Sequence, residues 1–388
     1  MTIAMIGQKG IPAAGGGVER HVHDLSRRLA MRNHDVIVYA RPWYSPSKEA
    51  VVDGAQVVYK PSIETKHLDT ISHVFVSTID AIEKGVDVIH YHGVGPALLS
   101  WIPRLFAKDT RVVTTFHSID RMHKKWNWMA RTILRFGEWA ACAFAHETIA
   151  VSTTIKQYAS KSYGGNLTYI PNAVEFPPIH GDGCDLLKEY RLDSKEYVLM
   201  VSRLIPHKGA HYLIRAWQML KQIAPETVAG KKLVIAGGGH HTEEYENTLH
   251  AMTFNDNDII FTGMITGDKI HELLSHAYAQ VHPSDNEGMP IVVLEGMSHG
   301  LPVLLSDIDE HRMVMPNSSF WFRQGQVKDL TEKMNMLLTL SEEEQTSIGT
   351  KNAALIARDY SWDRVIERIE EVYTSSVEQL PIAESVVA

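Results

Sequence analysis

The sequence predicts an α/β protein with two domains, each built on a parallel sheet covered by helices. Short runs rich in β-branched residues alternate with longer segments of helical periodicity almost throughout the 388 residues. This alternation is typical of parallel sheets, whose strands are connected by helices that cover the faces of the sheet. A chain of this length also exceeds the usual size of one hydrophobic core, so two domains are expected.

The predicted strands fall into two groups. The first comprises residues 2–6, 35–39, 56–59, 86–90, 111–116, 147–151 and 167–170, and the second 197–201, 232–236, 259–262, 279–282 and 302–305. A polar, glycine-containing stretch after Pro171 separates the groups and indicates the crossing between domains. We therefore expect one domain over residues 1–175, a second over 176–360, and a C-terminal helix with a tail over 361–388, capped at Ser361.

Composition narrows the function classes. Apolar residues make up 44% and charged residues 22% of the chain, as in ordinary globular proteins. The net charge of -8 disfavours nucleic acid as a partner. No apolar run reaches the roughly 20 residues that span a bilayer, and the N-terminus reads as a strand rather than a leader. We expect a cytoplasmic protein, with its two cysteines reduced.

The loop after the first strand carries three consecutive glycines, Gly15 to Gly17, immediately before a predicted helix. Glycines at this point let backbone N–H groups approach a phosphate or a sugar closely. The spacing matches neither the dinucleotide motif nor the P-loop, which disfavours a nicotinamide enzyme or an NTPase. Gly16 and Gly17 are therefore candidate ligand-binding residues, with a plain flexible turn as the alternative.

A second candidate site surrounds two carboxylates, Glu287 and Glu295, which are separated by seven residues. If a helix starts near Pro290, Glu295 lies on its second turn and Glu287 in the preceding loop, so both can face one ligand. The helix N-terminus beside Gly288 and Met289 suits an anion such as a diphosphate, which leaves the glutamates for neutral hydroxyl groups. A capped surface helix with two solvated glutamates is the alternative.

Basic and imidazole side chains follow other predicted strands. Arg203 and Lys208 come after the first strand of the second domain, beside a helix start, where they can hold a diphosphate. His117 follows the strand that ends at Phe116, and a neutral imidazole there can both donate to and accept from sugar hydroxyls. His92, after the preceding strand, is a weaker candidate.

Four stretches, in this order, together resemble the retaining glycosyltransferases of family 4, the E-x7-E glycosyl transferases group 1. They are Gly16-Gly-Val-Glu-Arg20, Thr114-Thr-Phe-His117, Ser202-Arg-Leu-Ile-Pro-His-Lys-Gly209 and the segment from Glu287 to Glu295. The resemblance extends over essentially the whole chain. It implies a GT-B fold, in which two Rossmann-like domains face a cleft and a C-terminal helix crosses back to the first domain. The chain departs from the pattern in the extra glycine of the first loop and in His282-Pro-Ser, which puts the acceptor in doubt.

The resemblance also implies a function. A sugar would pass with retention from a nucleotide-diphosphate sugar to a glycan, a lipid-linked or a small-molecule acceptor, without cofactor or metal. By resemblance, Glu287 holds hydroxyls of the donor sugar, Glu295 holds the ribose hydroxyls, and His117 contacts the sugar near its reacting face. A GT-B sugar-nucleotide epimerase and a subunit that binds the nucleotide sugar without turnover are the alternatives. The two D-x-D pairs, Asp256 with Asp258 and Asp307 with Asp309, have metal-binding spacing, but the cations above would already neutralise a leaving diphosphate.

The segment Arg121–Phe144 interleaves basic residues with tryptophans on an amphipathic helical pattern. This composition suits a helix lying on an anionic membrane surface, and the protein would then be peripheral on the inner face of the membrane. A helix packed on its own sheet through Leu134, Ala141 and Phe144, with a solvated basic face, is the alternative.

Overall fold

A computed structural model describes residues 1–13, 16–45, 48–65, 68–122, 128–176, 185–239, 242–265, 267–316 and 318–375. The predicted domain boundary at residues 175 and 176 adjoins the stretch 177–184, which lies outside the described residues, and so does the tail beyond Ser375. The division into 1–175, 176–360 and 361–388 therefore stays a prediction.

Two sheets organise the described part of the chain. The first contains β1 (Thr2–Ile6), β2 (Asp35–Ala40), β3 (Val51–Val52), β4 (Ala55–Tyr59), β5 (Val88–His92), β6 (Arg111–Phe116), β7 (Glu147–Ala150) and β8 (Leu167–Tyr169). The second contains β9 (Tyr197–Val201), β10 (Lys232–Ala236), β11 (Ile259–Gly263), β12 (Ala279–His282), β13 (Val303–Ser306) and β14 (Trp321–Phe322). The strand orders are β3-β4-β2-β1-β5-β6-β7-β8 and β11-β10-β9-β12-β13-β14.

Helices connect these strands. Those of the first half are α1 (Gly17–Met31), α2 (Asp69–Glu83), α3 (Val94–Ala97), α4 (Trp101–Phe106), α5 (Trp128–Phe144) and α6 (Thr153–Tyr163). Those of the second half are α7 (Asp185–Glu189), α8 (Ala210–Ile223), α9 (Pro225–Val228), α10 (Glu243–Met252), α11 (Asp268–His276), α12 (Ile291–Ser298), α13 (Asp309–Val314), α14 (Val327–Leu338), α15 (Glu342–Asp359) and α16 (Trp362–Thr374).

The predicted parallel sheets are confirmed, because every strand pairing in the described residues is parallel except that of β3 with β4. β5 begins and ends two residues later than predicted, so His92 lies within the strand and not beyond it. The sequence did not predict β3 and β14, since a strand of two residues has no periodicity to recognise.

The last helix, α16, packs on the first domain, as the GT-B expectation requires. Its apolar stripe, which includes Trp362, Ile366 and Ile369, is buried in one core with residues of β1, α1 and β6. Tyr373 Oη lies 2.7 Å from His90 Nδ1 in β5. Ser361 occupies the N-cap position, as predicted, although its side chain makes no capping hydrogen bond.

The two domains also contact each other directly. One apolar cluster combines residues that follow the first sheet, such as Val151 and Val174, with Met289, Val293 and Leu294 around α12. The backbone N–H of Asn172 lies 3.2 Å from Met289 Sδ. The carboxyl ends of both sets of parallel strands therefore line one cleft, which is where open α/β sheets bind ligands.

Candidate active site

Two helix N-termini meet across the cleft. Gly16 is the N-cap of α1 and has a φ of 101°, a backbone conformation that favours glycine. A β-carbon on Gly17, the first residue of α1, would lie 3.9 Å from Cδ1 of Ile291, the first residue of α12. Because unpaired N–H groups and the positive dipole end concentrate at a helix N-terminus, two of them side by side favour an anionic ligand between the domains.

The helix start predicted near Pro290 is confirmed. Pro290 is the N-cap of α12, Glu295 is the fifth residue of the helix, and Glu287 lies in the loop before it. Glycine is required at position 288 because there is no space for a side chain, and not because of the backbone φ angle. A β-carbon on this residue would lie 1.9 Å from the carbonyl oxygen of His117 in the other domain. The loop therefore approaches the first domain as closely as backbone atoms allow.

Glu287 is held by two side chains on a single oxygen. Lys208 Nζ lies 2.5 Å and His282 Nε2 2.7 Å from Glu287 Oε1. Burial alone would raise the pKa of the Glu287 carboxyl, but the Lys208 ammonium and the His282 hydrogen bond outweigh it and hold this pKa well below its usual range. No described residue bonds to Oε2. Glu287 is thus an ionised carboxylate with one oxygen fixed by the protein and one left for a ligand.

Glu295 lies in a different electrostatic setting. Burial raises the pKa of its carboxyl to about 7, while the Arg20 guanidinium on α1 of the other domain works in the opposite direction. No described residue forms a hydrogen bond with its side chain. Glu295 therefore changes its protonation state near neutral pH, and hydrogen-bond donors on a ligand would favour the ionised form.

Lys208 and Arg203, the two cations assigned to a diphosphate, differ in their contacts with other side chains. Lys208 ends a 3₁₀ turn, Pro206–Lys208, before α8 and is bound to Glu287. The ammonium group has three donors, so further contacts with a ligand are open to it. Arg203 follows β9 and is exposed, and its side chain makes no ion pair with any other described residue. Of the two cations, Lys208 is therefore the one that another described side chain holds in place.

His117 belongs to a buried group of imidazoles. Its Nε2 lies 3.2 Å from His92 Nδ1, and the rings of His117 and His21 are 5.1 Å apart. Burial, followed by repulsion from His21 and His90, holds the pKa of His117 well below its usual range. Burial likewise lowers the pKa of His21 to about 4. At neutral pH these rings are uncharged, and His117 can exchange hydrogen bonds with a sugar without adding charge.

Sequence reasoning missed three features of this site. His21 was not singled out, although it follows Gly16-Gly-Val-Glu-Arg20 directly and therefore lies on the first turns of α1. His282 was noted only as a departure from the family pattern. The pairing of Lys208 with Glu287 joins residues 79 positions apart, so no local pattern signals it.

Two sets of described side chains have metal-ligand spacing. In His21, His92 and His117, and in His282, Glu287 and His311, one ligand atom of each residue lies within 4.8 Å of the others. The second set already holds a cation, the Lys208 ammonium. Neither D-x-D pair forms such a set. Lys221 Nζ lies 2.8 Å from Asp256 and 2.7 Å from Asp258, and Asp307 is paired with Arg312. Metal independence stays a prediction.

Part of the basic and aromatic segment Arg121–Phe144 forms helix α5. Residues 123–127, which include Lys124 and Lys125, lie outside the described residues. Glu138 on the buried face accepts hydrogen bonds from Arg121, Tyr158 and Tyr163. The exposed face carries Arg131 and Arg135 together with large apolar side chains: Trp128, Met129, Ile133, Phe136 and Trp139. The exposed face of α5 is therefore both basic and apolar, and these contacts leave both interpretations of the segment open.

No described helix is both long and apolar enough to cross a membrane. The neighbouring helix α4 packs beside α5 and also exposes large apolar side chains: Trp101, Leu105 and Phe106. We call the exposed apolar side chains of α4 and α5 the α4–α5 face.

Comparison with known proteins agrees with the fold and with the class of protein. The family model described as Glycosyltransferase Family 4 matches residues 15–176, and that described as Glycosyl transferases group 1 matches residues 186–355. A GDP-mannose-dependent alpha-(1-6)-phosphatidylinositol monomannoside mannosyltransferase of Mycobacterium tuberculosis is 26% identical over 93% of this chain and 95% of its own length. The gpi3 subunit of a phosphatidylinositol N-acetylglucosaminyltransferase of Schizosaccharomyces pombe is 23% identical over 93% of this chain and 78% of its own length.

Solved structures show the same fold. HepE of Anabaena, in complex with UDP and glucose, superimposes with a TM-score of 0.79 at 21% identity, covering 97% of this chain and 100% of HepE. Sucrose-phosphate synthase from Thermosynechococcus elongatus gives a TM-score of 0.80 at 19% identity, covering 96% of this chain and 98% of the synthase.

Two Rossmann-like domains, a C-terminal helix that returns to the first, and a cleft lined by glycine-rich helix starts and paired glutamates define a GT-B glycosyltransferase that uses a nucleotide sugar. The two family models together span most of the sequence. The chain belongs to glycosyltransferase family 4.

Proposed function

We propose that this glycosyltransferase binds the diphosphate of its donor between the N-termini of α1 and α12, with Arg203 and Lys208 as the cations. The observation that carries the proposal is the approach of Gly17 to Ile291, which brings two helix starts to one point of the cleft. Breaking a bond between a sugar and a diphosphate places negative charge on the leaving phosphate. Donors that are already fixed in position stabilise this charge without reorganising.

Glu287 and Glu295 bind two different parts of the rest of the donor. The free Oε2 of Glu287 accepts from hydroxyls of the transferred sugar, since Oε1 is occupied by Lys208 and His282. Glu295, on the second turn of α12, accepts hydrogen bonds from the ribose hydroxyls. His117 contacts the sugar near its reacting face, because its backbone touches the loop at Gly288. No cofactor takes part beyond the donor.

Transfer proceeds with retention along a same-face route. The bond between the anomeric carbon and the phosphate oxygen breaks while the acceptor oxygen bonds to the same face of that carbon. The acceptor proton passes to the departing phosphate oxygen. In this proposal Glu287 accepts hydrogen bonds from sugar hydroxyls and does not serve as a nucleophile.

The acceptor that we favour is lipid-linked, with the protein peripheral on the cytoplasmic side of a membrane. Both relatives described above are named for phosphatidylinositol substrates. The α4–α5 face supports the same choice, since it combines aromatic and aliphatic side chains with Arg131 and Arg135. Aromatic and cationic side chains on an otherwise apolar helix face are typical of interfacial membrane binding. A soluble glycan acceptor is the second candidate.

A panel of UDP-, GDP- and ADP-sugars tests the proposal. Thermal unfolding identifies the base and sugar, because a ligand at 100 times its dissociation constant stabilises a protein by about 2.7 kcal/mol. The identified donor is then incubated with lipid and soluble acceptors, and products are analysed by mass spectrometry with and without EDTA. We expect transfer that survives EDTA. Isomerised donor without acceptor would favour an epimerase, and binding without any turnover would favour a sensor subunit.

A further inference from the structure

His282 is a polar residue at a position that is usually apolar in a fold of this kind. It ends β12, a strand whose four residues are all buried, and its side chain is 1% exposed. Strands buried on both faces normally consist of apolar residues. His282 Nδ1 bonds to no other described residue, although it is buried. A buried polar atom without a partner costs stability, so a compensating role for this imidazole is expected.

The only charged group that His282 bonds to, in the described part of the chain, is Glu287. A carboxylate accepts hydrogen bonds and cannot donate them, so the 2.7 Å contact requires a proton on His282 Nε2. The same nitrogen lies 3.1 Å from Ser284 Oγ. Since Lys208 Nζ binds the same carboxylate oxygen, His282 and Lys208 fix Oε1 from two directions.

A second imidazole, that of His311, packs against the ring of His282 and helps to hold it in place. The rings of His282 and His311 pack edge to face with centroids 5.5 Å apart. His311 Nδ1 lies 2.8 Å from the carbonyl oxygen of Ser306, whose hydroxyl donates to the carbonyl oxygen of Ser284 at 2.5 Å. Burial lowers the pKa of His311 to about 3, so this ring is neutral. The support for His282 is therefore rigid, polar and uncharged.

We propose that His282 is a positioning residue for sugar transfer, which donates from Nε2 to Glu287 Oε1 and thereby orients Oε2 toward the hydroxyls of the donor sugar. The inference rests on the proposed contact between Glu287 and that sugar. Lys208 alone cannot do the same, because an ammonium on a flexible stem is also drawn to the donor diphosphate. When Lys208 turns to the phosphates, His282 remains to keep the carboxylate from rotating.

The test compares His282→Leu, His282→Gln and Glu287→Gln in steady-state kinetics with the donor found in the panel above. His282→Leu removes the donor group, and we expect kcat/KM for the sugar nucleotide to fall roughly tenfold to a hundredfold, as for a lost hydrogen bond to a charge. His282→Gln keeps an N–H donor and recovers most of the loss. We expect the affinity for the free nucleoside diphosphate, measured by titration calorimetry, to change less than about threefold, since in this proposal His282 acts on the sugar through Glu287 and not on the phosphates.

A double-mutant cycle separates positioning from general packing. If His282 acts through Glu287, then His282→Leu has little further effect in the Glu287→Gln background. Full additivity, or equal losses in the Leu and Gln variants with equal thermal stability, would overturn the proposal. If Glu287→Gln turns over the donor at the parental rate, the proposed role of Glu287 fails instead. His271→Leu is the matched control, because His271 is a buried histidine of the same domain that contacts His299 and not Glu287. It should keep parental kinetics.

Discussion

The carbonyl oxygen of His117 approaches Gly288 so closely that a β-carbon on residue 288 would lie only 1.9 Å from it. This contact joins the strand end that carries the candidate sugar-binding imidazole to the loop that carries Glu287. The two residues come from different domains, so the spacing between His117 and Glu287 depends on how closely the domains approach. A glycine at position 288 therefore permits this close approach between the two domains.

Gly288→Ala tests the importance of this contact. The added methyl group must displace either the His117 backbone or the Glu287 loop, and overpacking of this kind typically costs about 1 to 3 kcal/mol. We expect kcat/KM for the donor to fall about tenfold to a hundredfold, by the relation between barrier and rate. Gly95→Ala is the control, because nothing lies within 4 Å of a β-carbon at that helical position. Parental kinetics in Gly288→Ala would show that the cleft does not need this approach.

Arg203 and Lys208 should differ when each is replaced. Arg203→Ala removes a cation that has no other described ion partner, so it should weaken binding of the nucleoside diphosphate and leave binding of the nucleoside nearly unchanged. Lys208→Ala should do the same and in addition impair turnover, because it leaves Glu287 without its ammonium partner. Titration calorimetry with both ligands measures the first effect, and initial rates measure the second. Equal loss of nucleoside and diphosphate binding would contradict the assignment to the phosphates.

Local patterns in the sequence predicted most of the fold and the positions of the candidate site residues at strand ends and helix starts. The glycines before α1, the helix start after Pro290 and the cations after β9 each follow from a strand, a turn and a helix that are contiguous in sequence. The interactions between residues on different elements could not be predicted from local patterns. The Lys208 and Glu287 pair and the electrostatic effect of Arg20 on Glu295 depend on packing between distant elements. The burial of His92 within β5 was not predicted either, because a polar residue next to a short apolar run was interpreted as lying beyond the end of the strand.

The carboxyl of Glu295 gives a pH dependence with a defined sign. Burial raises its pKa from 4.5 in the unfolded chain to about 7 in the folded protein. A carboxyl with a raised folded pKa favours the folded state when protonated, so stability falls as pH rises from 4.5 to 7 and changes little above that. A shift of this size corresponds to roughly 3 kcal/mol.

Glu295→Gln should remove this dependence. We expect the variant to gain stability relative to the parent at pH 8 and to gain none at pH 4.5, in urea unfolding followed by circular dichroism. Nucleotide affinity of the parent should rise as pH passes 7, because ribose hydroxyls donate to the ionised carboxylate, and this rise should be absent in Glu295→Gln. A variant that is less stable than the parent at pH 8 would mean that Glu295 is already ionised and paired in the free protein.

The α4–α5 face leads to a prediction about membranes. Trp128 is 79%, Phe106 71% and Phe136 59% exposed, and burying such side chains in a bilayer interface is favourable in proportion to their apolar area. We expect the protein to sediment with anionic liposomes at low salt. Salt should release only part of it, since the contribution of Arg131 and Arg135 is screened over about 10 Å at 0.1 M salt while the apolar contribution is not.

Two double variants separate these contributions. Arg131→Glu with Arg135→Glu should abolish the salt-sensitive part of liposome binding, and Phe106→Ser with Phe136→Ser should reduce binding at every salt concentration. Phe254→Ser is the control, because Phe254 is 81% exposed but lies in the second domain, away from α4 and α5. If the apolar variant binds like the parent, contact is electrostatic alone and Lys124 and Lys125 become the next residues to reverse. If the parent does not bind at low salt, the lipid-linked acceptor loses its structural support and a soluble glycan becomes the favoured acceptor.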